Sequence, residues 1–139
     1  MAPVSFKRMV GRALLRRCPR CGGKGWFKGW FHRLERCQTC GYKYERQEGF
    51  VLGAVTINTI VTFGCLAVVF VVGTVATYPD LPVVPLVALS IGVAVVVPIV
   101  FYPFSYTLWA AVELQMRPLE PAEIADAARA AAGESGEGP

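Results

Sequence analysis

Between Glu48 and Glu113 the chain carries a single charged residue, Asp80. It divides the segment into two uncharged stretches, Gly49–Pro79 and Leu81–Val112. Each exceeds the roughly 20 apolar residues that a helix needs to cross about 30 Å of hydrocarbon. A buried hairpin in a soluble protein is the alternative, but the rest of a 139-residue chain is too short to cover it. The expected fold is therefore a membrane α-helical hairpin of two transmembrane helices, with spans at about 50–77 and 84–112 and a turn at 78–83. The connection around it reads "TYPDLPVVP". Prolines end one helix and start the next because an internal proline removes a donor and clashes one turn back. Tyr78 beside them suits the membrane–water interface.

The charges excluded from the spans are sorted by side. Residues 1–48 hold twelve Lys and Arg against three acids, whereas the tail from Glu113 holds two against six. Counting Lys and Arg alone places the N-terminal region in the cytoplasm, and two spans return the tail to the same side. The expected location is the inner (cytoplasmic) membrane, multi-pass, with N- and C-termini cytoplasmic. Residues 1–17 contain no uninterrupted apolar core of a signal peptide. Phe6, Met9, Val10, Ala13 and Leu14 recur on one helical face, so residues 1–17 read as a basic amphipathic N-terminal helix lying on an anionic leaflet. A frayed tail, or a helix docked on the module that follows, is the alternative.

Directly before the first span lie Cys18-x2-Cys21 and, fifteen residues on, Cys37-x2-Cys40. Two such pairs at this spacing fit a zinc ribbon or knuckle with short β-strands over residues 18–48. Four thiolates satisfy a tetrahedral ion. Glycine follows the second cysteine of each pair, where a tight turn favours positive φ. Zn(II) is the expected cofactor, with iron a minor alternative using the same ligands. Disulfides are disfavoured by a reducing cytoplasm. A closed four-thiolate site offers no open position for substrate, so no catalytic residue is assigned and an enzyme is not expected. His32 has no vacancy to fill and reads as a surface or strand residue. Trp26 and Trp30, with Trp109 on the second span, are candidates for the interface.

Within the spans, Gly49, Gly53, Asn58 and Thr62 are candidates for helix packing, between the two spans or between copies of the chain. Pro98 and Pro103 free the carbonyls of Ala94 and Ile99. The aromatics Phe101, Tyr102, Phe104, Tyr106 and Trp109 form an interface belt or a partner groove. Residues 114–139 read as a cytoplasmic tail, a short helix starting at Pro121 followed by a disordered "GESGEGP". From Tyr44 to Gly49 the connection reaches at most about 18 Å, so the metal module stays beside the headgroups.

The segments "ERCQTCGYKYERQEGF", "GAVTIN" and "YPFSYTLW" give the chain a resemblance, over about residues 16–117, to the bacterial family called domain of unknown function 983. The resemblance implies a small two-span membrane protein whose cysteine pairs correspond to Cys18, Cys21, Cys37 and Cys40. Some members are encoded near cytochrome c oxidase genes, which implies a part in assembling a respiratory complex. Three functions follow as expectations. The first is a non-catalytic scaffold or assembly factor whose partners are membrane lipid and another membrane protein complex. The second is a membrane-tethered nucleic-acid binder, supported only by basic charge and aromatics. The third is a thiol-based metal-handling or redox protein.

Overall fold

The computed structural model describes residues 4–24 and 26–133. The elements run α1 (Phe6–Leu14), β1 (Phe27–Lys28), β2 (His32–Arg33), α2 (Phe50–Thr77), α3 (Val83–Met116) and α4 (Pro121–Ala131). Most of the "GESGEGP" segment, for which disorder is expected, lies outside the described residues.

Apolar composition makes α2 and α3 the frame. Their 28 and 34 residues correspond to about 42 and 51 Å at 1.5 Å per residue. Both exceed the hydrocarbon thickness, and α3 runs past the expected end at 112. The most apolar 18-residue window of each helix is unburied by the rest of the protein. A helix at the core of a soluble protein would be covered; these present their valines and leucines outward, as lipid requires. Hydroxyls in the spans satisfy themselves on the preceding turn, Thr56 donating to the Leu52 carbonyl, Thr62 to Asn58 and Ser90 to Leu86.

The helices meet where a side chain is missing. A Cβ at Gly53 would collide with the Trp109 indole, and one at Gly73 with Leu86. Asn58 joins the helices by donating Nδ2–H to the Pro98 carbonyl at 3.1 Å. Gly49 has a different role from the packing expected of it: nothing lies near its Cβ position, and it sits at φ 95° as the residue preceding α2. That left-handed turn is the one glycine enters cheaply. Thr62 bonds to its own helix, and the interhelical polar contact belongs to Asn58. Trp109 likewise departs from the interface role, because its ring fills the space over Gly53. Tyr78 stands exposed at the end of α2.

α1 is docked on α3 along part of its apolar stripe. Met9 and Ala13 are buried against Ala111 of α3, with Leu108 and Leu114 alongside, and Thr107 donates to the Ala13 carbonyl at 2.8 Å. The apolar stripe is thus split, with Phe6 and Leu14 remaining exposed. α4 begins with Pro121 inside a capping box formed by Glu120 and Glu123. It packs its Ala127 so closely on Gly41 that a Cβ there would strike the Ala127 carbonyl. The tail therefore folds back over the cysteine-bearing segment, held by Arg36–Asp126 at 2.8 Å and Arg46–Glu123 at 2.9 Å.

Candidate metal centre

Two chain reversals of the same construction bring the cysteines together. In the first, the Gly22 N–H donates to the Cys18 carbonyl and the Cys18 N–H to the Gly23 carbonyl. In the second, the Gly41 N–H donates to the Cys37 carbonyl and the Cys37 N–H to the Tyr42 carbonyl. Each turn places glycine at positive φ, 78° at Gly22 and 66° at Gly41, as the glycine after each second cysteine suggests. The knuckles also press together, since a Cβ at Gly23 would enter the Thr39 side chain.

The Sγ atoms of Cys18, Cys21, Cys37 and Cys40 all lie within 4.8 Å of one another. Cys18 to Cys40 is 3.9 Å and Cys21 to Cys37 is 3.7 Å. Four sulfurs at about 2.3 Å from a tetrahedral ion stand about 3.8 Å apart, so the donor set fits a metal with little movement. The sulfurs are too far apart for disulfides, and all five cysteines are free. The Gly23 N–H donates to Cys21 Sγ at 3.2 Å, as a charged sulfur ligand favours. Without an ion the protons are divided unevenly. Hydrogen bonds with Cys37 and Cys40, then burial, push Cys18 far above the ordinary thiol range. Hydrogen bonds with Cys18 and Cys40 hold Cys37 far below it. Such a set binds a metal by releasing its remaining protons.

Around the sulfurs sits a small aromatic core. Trp26 stacks on Tyr44 with ring centroids 3.8 Å apart, and Tyr42 meets Tyr44 edge-on. Trp26 is only 1% exposed, which removes it from the interface: a module this small uses its largest ring as core. Burial raises Tyr44, whose hydroxyl therefore stays protonated; it is buried beside the cysteine cluster without a hydrogen-bond partner of its own among the described residues.

The module is fastened to α3 through its two-stranded hairpin. β1 and β2 pair antiparallel, Phe27 with Arg33 and Lys28 with His32, leaving Gly29, Trp30 and Phe31 at the tip. Trp30 donates its indole N–H to the Ile99 carbonyl at 2.8 Å. Pro103 has no N–H to offer that carbonyl, so the hairpin tip replaces the missing helical bond. Phe31 packs on Tyr102 and the Arg33 guanidinium lies 4.2 Å from the Tyr106 ring centre. Part of the expected belt on α3 is therefore a seat for the module. The exposed His32 is a strand residue, away from the ligand set.

One buried charge cluster was missed from sequence. Arg46 is 7% exposed along its side chain and reaches Glu113, itself 9% exposed, at 3.7 Å and Glu123 at 2.9 Å. It also donates to the Arg117 carbonyl at 2.9 Å. Its position directly before the first span, with acids at the end of the second, was the available signal.

A four-cysteine metal module seated on a hairpin of two membrane-length apolar helices defines the class of protein. The chain belongs to the family described as protein of unknown function (DUF983), whose family model matches residues 27–114. That match takes in α2, all but the last two residues of α3, and Cys37 and Cys40. It is narrower than the resemblance over 16–117 and begins after Cys18 and Cys21, whose place in the cluster rests on geometry. No curated protein and no solved structure matches the chain.

Proposed function

We propose that the chain is a non-catalytic protein of the inner (cytoplasmic) membrane, with both termini in the cytoplasm, that acts as a scaffold or assembly factor for another membrane protein complex. The observation that carries this reading is the Trp30–Ile99 hydrogen bond, which anchors the metal module in the membrane helix. A substrate-processing metal site needs an open coordination position, whereas four thiolates close the sphere. The ion's work is then to fold a module too small for a core of its own. Zn(II) suits that work because it is redox-inert and takes tetrahedral sulfur without strain. The count of Lys and Arg supports a cytoplasmic module, and the rigid seat supports a function that depends on closeness to the membrane. A respiratory complex is the first candidate partner, on the family resemblance.

A long Gly/Ser linker inserted after Glu48 tests this. Metal content and insertion are expected to persist, while retention of the membrane partner in a gentle-detergent pull-down from native membranes falls several-fold. Oxidase subunits among the retained proteins would identify the complex as respiratory. Undiminished retention with the long linker would overturn the scaffold reading, and salt-sensitive retention of nucleic acid would replace it with the tethered binder.

A further inference from the structure

The module's charges are neutralised on one side only. Among the described residues the ion pairs are Arg33–Glu45, Arg36–Asp126, and Arg46 with Glu113 and Glu123. All involve the second knuckle, the hairpin or the helix ends that cover them. Nine Lys and Arg precede Glu35, and no acid does. On that side Leu15, Arg16, Arg17, Lys24 and Phe27 line an open cleft of about 330 Å³ between the end of α1 and the first knuckle. Three of the five lining residues are cations, and none is acidic.

The cleft is built around Arg16. This residue holds a left-handed backbone, φ 57°, a conformation that residues with side chains seldom adopt. It donates to the Gly29 carbonyl at 2.8 Å. Its guanidinium lies 4.8 Å from the Trp30 ring centre and 5.5 Å from that of Phe27. The same Trp30 bonds Ile99 in the apolar span. One guanidinium thus ties the cleft to the residue that seats the module on α3. Leu14, Leu15 and Phe31 are exposed nearby. Among the described residues, the side chains of Arg17 and Lys24 make no hydrogen bond or ion pair to the protein.

We infer that this cleft binds the phosphate of an anionic phospholipid headgroup, with Arg17 and Lys24 as the contacting cations and Arg16 as the residue that shapes the site. A basic cleft without acids selects an anion. Exposed apolar side chains beside it, and a direct link to a membrane helix, select a lipid over a soluble anion, since only a lipid offers phosphate and hydrocarbon together. The arrangement places the membrane contact in the turn that follows α1, whose Met9 and Ala13 are buried.

The inference rests on the cytoplasmic placement proposed above. The test uses the full chain in neutral detergent, titrated with phosphatidylglycerol or phosphatidylcholine and read by native mass spectrometry. Wild type is expected to bind phosphatidylglycerol at least roughly tenfold more tightly. Arg17→Ala with Lys24→Ala should abolish that preference with the metal content unchanged. Lys7→Ala with Arg8→Ala, removing equal charge from α1, should retain most of it. Equal loss in both pairs, or no preference in wild type, would overturn the cleft. Displacement of the lipid by inorganic phosphate or a single-stranded oligonucleotide would also overturn it, in favour of a soluble phosphate. Labelling of Lys24→Cys from outside intact cells would instead overturn the cytoplasmic placement itself.

Discussion

Cys37→Ser is expected to reduce metal content from about one ion per chain to nearly none and to unfold residues 18–44 while both spans remain inserted. Cys37 is 2% exposed, and its sulfur lies 3.7 Å from that of Cys21. A serine oxygen is a poor replacement for a thiolate in a soft-ligand site. The aromatic core of Trp26, Tyr42 and Tyr44 is small, whereas structural zinc supplies on the order of 10 kcal/mol to modules of this kind. The spans are held by lipid and by their own hydrogen bonds, so their insertion does not depend on the ion. Metal analysis and limited proteolysis check this together: the variant should be cut within the module at protease levels that wild type resists. Chelation should reproduce the effect. Lowering the pH should weaken metal retention, because protons compete for the thiolates. A variant with full metal content and unchanged resistance would contradict the assignment.

Arg46→Met should release the tail. It removes the only cation that reaches both Glu113 and Glu123 among the described residues. Glu113 is then left as a buried carboxylate, and breaking one partner of such a pair costs about 3–5 kcal/mol. α4 would lose one of its two ionic ties, the other being Arg36–Asp126 at an exposed site. Proteolysis after Arg117 should accelerate at least roughly tenfold. Adding Glu113→Met to Arg46→Met should recover most of the loss, because apolar replacement of a whole buried pair is often neutral. If the single variant digests like wild type, the cluster contributes no stability to the docked tail.

The hairpin and the sulfur cluster were legible because their causes are local. Uncharged length announces a span, and two cysteine pairs with following glycines announce a knuckle whatever the rest of the chain does. Even the Ile99 carbonyl was marked by Pro103 four residues on. What stayed hidden was its partner, because nothing local distinguishes Trp30, which reaches Ile99, from Trp26, which turns inward onto Tyr44. Both are aromatics in a basic segment, and hairpin geometry decides between them. α1 illustrates the same limit. Its amphipathic stripe was readable, but a stripe does not say whether lipid or Ala111 covers it. Gly49 and Gly53 look like one motif in sequence, yet one supplies a left-handed turn and the other room for an indole. Contacts made by the tail were the least visible, since Ala127 and Gly41 meet across more than half the chain.

A photo-crosslinking residue in place of Trp30 tests most directly whether a metal-folded module is seated on the membrane helix. In native membranes, irradiation is expected to yield an intramolecular crosslink that maps to α3 around Ile99–Tyr102. Chelation, or the added Cys37→Ser change, should abolish it. Crosslinks that form only to lipid or to other proteins while the metal is bound would contradict the account, as would an α3 crosslink that persists undiminished after the metal is removed.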